Sequence, residues 1–350
     1  MQMNDHKSSI IFDLDGTKPQ FFTPYGNMTI MNSDNFPVLK GMGAVLLRLE
    51  KGGVREPHWH PNAAELNYCI SGNAKMTIYS NNAQKDTFMI NPGQLTFIPT
   101  GCWHDIENIG EEELKIVIVY DNERFEDLGI SGSVGSLPTR ILNSIFGINS
   151  PGLFDELENA SSKDVIFGRK TIDNSKISSN NEIETSNLHT LNLIDTTPQV
   201  QTPGGTAVLG SLPYFPILKG LSVFLLDLKP KGIVEPHTHP NAGELNYVIE
   251  GKVRFTVYSP NKEIETSEIG KGQVFFVPAG YFHYLENSDD VNNGTVASFF
   301  GNENPEFIGL VGGLSSFSDE ALVAVFNTDQ KFFSNLPRLV KNVLIAPGLG

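Results

Sequence analysis

The chain has 350 residues with 39% hydrophobic and 19% charged content, enough apolar material for two cores and too little charge for a disordered polyelectrolyte. Its 25 Lys and Arg against 40 Asp and Glu give a formal charge of −15, which presents no basic face to nucleic acid or to an anionic membrane. Two cysteines, Cys69 and Cys102, read as reduced thiols, and neither an apolar leader core nor a run of about eighteen apolar residues occurs, so the expectation is a soluble, cytoplasmic protein.

From the N-terminus, Phe12-Asp-Leu-Asp-Gly-Thr17 resembles the aspartyl nucleophile loop of a haloacid-dehalogenase-like phosphatase. Pro19 follows at once and no helical spacing succeeds it, so the segment reads instead as a first strand. Short β-rich runs come next, at Ala44 to Leu49, Leu66 to Ile70, Lys75 to Tyr79, Leu95 to Pro99 and Ile116 to Tyr120, with Gly, Asn and Pro clusters between them. Helix-like spacing covers 137–146 and 152–158, and residues 176–187 are polar, Ser/Asn-rich and aperiodic.

The pattern then repeats. Residues near 12–108 match those near 191–287 at an offset of 179, so that Phe36-Pro-Val-Leu-Lys-Gly41 falls on Phe215-Pro-Ile-Leu-Lys-Gly220. After Asn108 and Asn287 the offset becomes 180, which places one extra residue in a surface turn of the second copy. Helix-like spacing at 319–326 and 331–340 ends that copy. A repeat of this length is a duplicated domain rather than a solenoid unit. The reading is an all-β protein with an N-terminal domain over 1–165, a linker over 166–187 and a C-terminal domain over 188–350, each a sandwich or barrel with a short C-terminal helical appendage.

Six of the eight histidines fall in two matched clusters: His58, His60, Glu65 and His104, and His237, His239, Glu244 and His283. Residues i and i+2 of a strand share one face, so each His-x-His pair can grip one ion. The glutamate lies past a tight turn on the returning strand, and the third histidine comes from a distant strand closing over the same interior. Three neutral nitrogens and one hard carboxylate leave two positions open on a six-coordinate ion, which suits Mn(II) or Fe(II) better than a closed tetrahedral zinc site. Asn67 and Asn246, two residues after each glutamate, share its inward face. Trp59, Trp103, Phe97 and Cys102 read as packing residues.

Both copies carry the two cupin motifs, and the chain resembles a bicupin of the oxalate decarboxylase and germin-like (spherulin-like) type. The resemblance implies two tandem jelly-roll (double-stranded β-helix) barrels, one metal per domain, usually manganese, and a trimeric or hexameric homo-oligomer built through the helical appendages. In oxalate decarboxylases an arginine three residues before the first histidine ligand orients a small carboxylate substrate, and Arg55 stands at that position while Val234 replaces it in the second copy. The family's proton-carrying lid residue falls on Asp127, with Glu126 and Glu123 as neighbouring acids, although the segment Glu126-Asp-Leu-Gly-Ile130 departs from the family's lid sequence. The second copy is closer to a germin, which implies a structural metal there. Three readings follow: a manganese enzyme on oxalate or a similar carboxylate, with dioxygen as cofactor; a non-enzymatic metal-storing or ligand-binding bicupin; and a dioxygenase on a larger substrate at a Trp-lined first site.

Overall fold

The computed structural model describes residues 10–148, 150, 152–159, 163–170, 187–261, 263–337 and 342–348. The first copy supplies β1 (Ile11–Asp13), β2 (Phe21–Thr23), β3 (Gly26–Met31), β4 (Gly43–Leu49), β5 (Gly53–Trp59), β6 (Glu65–Ser71), β7 (Ala74–Tyr79), β8 (Lys85–Ile90), β9 (Gln94–Ile98), β10 (Trp103–Asn108), β11 (Leu114–Tyr120), β12 (Leu128–Gly129) and β13 (Ile166–Gly168). The second supplies β14 (Thr190–Asn192), β15 (Val200–Thr202), β16 (Gly205–Gly210), β17 (Ser222–Leu228), β18 (Ile233–Thr238), β19 (Glu244–Glu250), β20 (Lys252–Tyr258), β21 (Ile264–Gly270), β22 (Gln273–Val277), β23 (Phe282–Asn287), β24 (Gly294–Phe300), β25 (Ile308–Gly309) and β26 (Ile345–Ala346).

Two compact units result, one formed by residues 14–37 and 41–194, the other by 1–13, 38–40 and 195–350. In the first unit a seven-stranded sheet of order β14-β9-β6-β11-β4-β3-β2 faces a six-stranded sheet of order β12-β5-β10-β7-β8, with β13 also on β5. The second unit repeats this as β1-β22-β19-β24-β17-β16-β15 and β21-β20-β23-β18-β25, with β26 on β18. Both sheets of the first unit send alternate residues into one core, Val45, Leu47, Ile116 and Ile118 from one side and Met76, Ile78, Phe88 and Ile106 from the other. Strand β11, Leu-Lys-Ile-Val-Ile-Val-Tyr, is buried along its whole length, as a β-branched run covered on both faces should be. This is the jelly roll that the sequence leads one to expect.

The first strand of each copy pairs outside its own repeat. Ile11 of β1 lies opposite Phe275 of β22, and Thr190 of β14 lies opposite Thr96 of β9. Each covers a row of backbone N–H and C=O groups that would otherwise form an open sheet edge. Residues 166–168, read from sequence as the start of the linker, pair with β5 through Ile166 opposite Arg55, and residues 171–186 of that segment lie outside the described residues. In the phosphatase-like stretch, Asp15 forms ion pairs with Lys115 at 2.6 Å and Arg48 at 3.5 Å, a structural role on the edge of the barrel.

Two turn details explain the repeat. Asn108 donates to the carbonyls of Leu49 and Glu112, and Asn287 to those of Leu228 and Asn292, so each ties off the turn after the strand that bears the third histidine. The spans of four and five residues locate the single-residue slip inside this turn. Gly52 has φ 73°, and Lys231, at the matching position, takes φ 61°, the same left-handed turn without glycine's freedom.

Helices follow each barrel: α1 (Ile130–Gly135), α2 (Thr139–Phe146), α3 (Leu310–Ser316), α4 (Asp319–Phe326) and α5 (Gln330–Ser334). Pro138 sits at the cap of α2 and delays its start past the expected residue 137. The stretch 152–158 contains a 3-10 turn at Asp155–Asn159 rather than an α-helix. The expected helix over 331–340 is corrected to α5, which begins at Gln330 and ends at Ser334 with Asn335 as its C-cap and 335–337 non-helical, while 338–340 lie outside the described residues.

Candidate metal centres

Strand β5 carries His58 and continues to His60, β6 opens with Glu65, and β10 brings His104 opposite His58. The four side chains are buried, and one ligand atom from each lies within 4.8 Å of the others. His237, His239, Glu244 and His283 form the same arrangement in the second unit, with His237 opposite His283.

Every histidine in the two clusters is fixed by its Nδ1. Nδ1–H of His58 donates to the carbonyl of Glu56 at 2.7 Å, that of His60 to Glu126 at 2.7 Å, and that of His104 to Cys102 at 3.1 Å. His237, His239 and His283 donate likewise to Glu235, Glu306 and Tyr281 at 2.6, 2.6 and 2.8 Å. A carbonyl only accepts, so each ring is the tautomer whose Nε2 lone pair faces the centre. In the second centre the Nε2 atoms of His237 and His239 stand 3.0 Å apart. Two lone pairs at that distance need a cation between them. In the first, Nε2 of His60 lies 3.0 Å from Glu65 Oε2 without hydrogen-bond geometry, and Glu65 Oε1 is buried without a partner among the described residues. Nε2 of His104 contacts Glu65 Oε2 at 3.1 Å and Nε2 of His283 contacts Glu244 Oε2 at 2.7 Å, so in each domain three buried nitrogens converge on one carboxylate, a donor set that fits a divalent metal ion.

The electrostatics are divided among the ligands, since burial would lower His104 but its contact with Glu65 raises it above the usual imidazole range. Burial above all, then Arg55 and the other two histidines, holds His58 well below the usual imidazole range, which keeps its nitrogen available. Burial alone would raise the Glu65 carboxyl, but His104 and His60 outweigh it and hold it well below the carboxylate range. His237 is lowered by burial first and His283 next, and Glu244 is held down against burial by His283 and His239.

Outside the ligands the two centres differ. Arg55, 2% exposed, donates to the carboxylate of Asp127 through Nη2 and to the carbonyl of Val165 through Nη1 at 3.3 Å. The neighbouring Glu56 accepts from the backbone N–H of Ser131 at the start of α1. Glu126 supplies its carbonyl to His60 while the residue itself is exposed, and the backbone carbonyl of Glu123 accepts from Ser33. Asp127 lines a cavity of about 580 Å³ together with Phe21, Met28, Phe125 and Val165, and none of the four ligands borders that cavity. In the second unit the residues at the Arg55 and Asp127 positions are Val234 and Phe307, and Phe307 stacks on His237 at 4.3 Å. There the corresponding cavity, about 310 Å³, reaches His237, His239 and Glu244.

Three features escaped the sequence reading. Tyr120 stacks on Phe125 at 4.0 Å and stands edge-on to His60 at 4.7 Å; burial first and Glu65 next push its hydroxyl well above the usual phenol range. The contrast of Tyr120 with Phe300 between the copies was the available signal. Gly129 and Gly309 leave no room for a side chain, since a Cβ would fall 2.2 Å from Glu56 and 2.6 Å from Glu235. Finally, Trp59 and Trp103 alternate with the ligands and stack on each other at 4.8 Å, so they do not line the first interior. The Trp-lined pocket expected for a larger substrate is thereby corrected.

A duplicated jelly roll with a three-histidine, one-glutamate centre in each barrel defines a bicupin. The Cupin family model matches residues 12–151 and 191–332, and the chain belongs to that family. It is 27% identical over 260 residues to oxalate decarboxylase OxdC of Bacillus subtilis, covering 73% of this chain and 66% of that protein. It is 25% identical over 280 residues to an oxalate decarboxylase of Arthroderma benhamiae, covering 72% and 65% respectively. The matched stretch is thus just under two thirds of the length of these relatives. A germin-like protein 8-2 of Oryza sativa is 31% identical over 123 residues, 33% of this chain and 56% of that protein. Among solved structures, oxalate decarboxylase from Bacillus subtilis superposes with a TM-score of 0.83 at 23% identity, covering 97% of this chain and 88% of that one, a likeness of fold. Another study of that enzyme concerns its Mn(II) centres. Among the described residues no helix is long and apolar enough to cross a membrane.

Proposed function

We propose that the first centre is the active site of a manganese-dependent enzyme acting on oxalate or a closely related small carboxylate, as an oxalate decarboxylase does. One observation carries this reading: the buried Arg55 guanidinium, whose charge is felt at His58 and His104, is held on its other side by Asp127 at a cavity wall. Bound by His58, His60, Glu65 and His104, Mn(II), with Fe(II) as the second fit, supplies together with dioxygen the one-electron chemistry of carbon–carbon cleavage.

The remaining tasks fall to side chains. A planar guanidinium grips a carboxylate with two parallel hydrogen bonds, so an incoming small dicarboxylate competes with Asp127 for Arg55. Displacement frees Asp127 to move a proton. In the overall conversion of hydrogenoxalate to formate and carbon dioxide, the carbon–carbon bond breaks, its electron pair stays with the carbon that becomes formate, and the proton completes the new C–H bond. Tyr120, kept protonated, is a fixed donor beside Glu65. The exposed apolar residues Ile145, Phe146, Val325 and Phe326 on the appendages support assembly of several copies, as a trimer or hexamer would require.

The test scores formate and peroxide separately in the manganese-loaded chain and in Asp127→Asn. Formate from the native chain, giving way to peroxide in the variant, is the expected result; unchanged formate yield in the variant would remove Asp127 from the mechanism.

A further inference from the structure

The two barrels share one plan and bury their ligands equally, yet the cavity beside the first cluster is lined by none of its ligands, while the corresponding cavity of the second is lined by three. Three substitutions between the copies make the difference. Arg55 becomes Val234, Asp127 becomes Phe307, and Met28, buried in the first core, becomes Ala207. The Arg55–Asp127 ion pair is thus replaced by two apolar side chains, and Ala207 is smaller than the Met28 that lines the first cavity. The resulting cavity of about 310 Å³ runs from Val200 and Tyr214 to His237, His239 and Glu244, and its walls include Ala207, Phe224, Leu226, Val234, Phe300 and Phe307. Among the described residues that line it none is Lys or Arg.

Further differences point the same way. Where Thr96 in the first barrel keeps a buried hydroxyl without a partner, the second has Phe275. Tyr120 is matched by Phe300, which stands edge-on to His239 at 4.8 Å. Asn67 has neither polar atom partnered, whereas Asn246 accepts from Ser298. These replacements make the second interior the more aromatic of the two, while Ser298, where the first copy has Ile118, adds a hydroxyl to its wall.

We infer that the second centre is a binding site for a monoanion with an apolar body, its oxygen head on the metal held by His237, His239, Glu244 and His283 and its hydrocarbon part in the cavity. A divalent ion beside one glutamate retains one positive charge, which a single carboxylate neutralises. No cation waits for a second carboxylate, because Val234 stands where Arg55 would, so a small dicarboxylate gains nothing from this cavity. At roughly 30 Å³ per water-sized group, the cavity holds about ten non-hydrogen atoms, the size of octanoate. The site is independent of the reaction assigned to the first centre.

Calorimetric titration of the full, manganese-loaded chain with acetate, butanoate, hexanoate and octanoate tests this. About 0.8 kcal/mol per buried methylene makes each added methylene worth about fourfold in affinity. The expected result is one site per chain at which octanoate binds more than a hundredfold tighter than butanoate. Glu65→Gln, which disables the first centre, should leave this series intact. Ala207→Met, which installs the first copy's residue, should weaken octanoate at least tenfold with acetate unchanged. Val234→Thr, nearly the same in shape but with a hydroxyl facing the cavity, should weaken it severalfold if Ala207→Met does not fold. An affinity independent of chain length, a series abolished by Glu65→Gln, or octanoate binding untouched in both cavity variants would overturn the proposal.

Discussion

Arg55 donates to the carboxylate of Asp127 across 72 residues of sequence, and the matching residues of the second copy, Val234 and Phe307, carry no charge. The same backbone frame thus sets a charged pair beside one metal cluster and apolar side chains beside the other. The two barrels differ in these wall residues, while the four ligand types and the backbone carbonyls that support them are unchanged.

Arg55→Lys should leave the metal content of both centres intact and lower kcat/KM on oxalate about tenfold to about a hundredfold. A charge-assisted hydrogen bond contributes about 1.5–3 kcal/mol, and an ammonium cannot reproduce the guanidinium fork. Steady-state kinetics with metal analysis on the same sample decides it, and native activity in the variant would sink the assignment of Arg55.

Each metal centre should empty alone. Glu65→Gln and Glu244→Gln each remove one anionic ligand, so elemental analysis should give about one metal per chain for either variant and about none for the double. Because a metal binding the folded chain at a hundred times its Kd adds about 2.7 kcal/mol, each single variant should also lose part of the metal-dependent rise in Tm. Loss of both metals from one substitution would mean that the centres are coupled.

Alkaline stability should depend on Cys69. Burial pushes its thiol up to about 12 from an ordinary value of 9.0, and its Sγ finds only long contacts to Ser71 and Gly72 carbonyls. A group raised in the folded state contributes stability that is complete below the unfolded pKa and is lost as pH rises through the folded one. Between pH 9 and 12 the unfolded chain sheds the proton first, and folding weakens by about 1.4 kcal/mol per pH unit. Cys69→Val, which copies Val248 of the second barrel, should reduce that slope; urea titrations at pH 8 and pH 10.5 measure it, and an equal drop in both proteins would refute the argument.

Gly129→Ala should disturb the first centre from a distance. Its Cβ would press on the Glu56 carboxylate, and the carbonyl of Glu56 holds His58. A loss of about 1–3 kcal/mol in stability, the cost of leaving a buried hydrogen bond unmade, together with weaker metal retention is expected. Denaturant melts with metal titration would reveal it, and a variant matching the native chain in both would show that Glu56 has room to shift.

The metal ligands were legible in the sequence because strand periodicity places i and i+2 on one face, and because duplication showed the same four residue types twice. The barrels were legible for a similar reason, in short β-branched runs cut by Gly and Asn. Other features rest on contacts that no local pattern carries. Helices α1 and α3 are rich in Gly and Ser and have weak intrinsic propensity, yet Glu56 and Glu235 accept from the backbone N–H of Ser131 and Val311 and anchor their first turns. The first strand of each copy pairs with the other copy's sheet, a matter of edge satisfaction invisible to a repeat comparison. The resemblance alone sets Asp127 at the lid position, and its partnership with Arg55 appears only in three dimensions.

The most direct test of the account is the product analysis of the purified, manganese-loaded chain given oxalate. Near two metals per chain, with formate and carbon dioxide in equal amounts, is the predicted result. Two metals per chain with no oxalate consumed would contradict the assignment of the first centre.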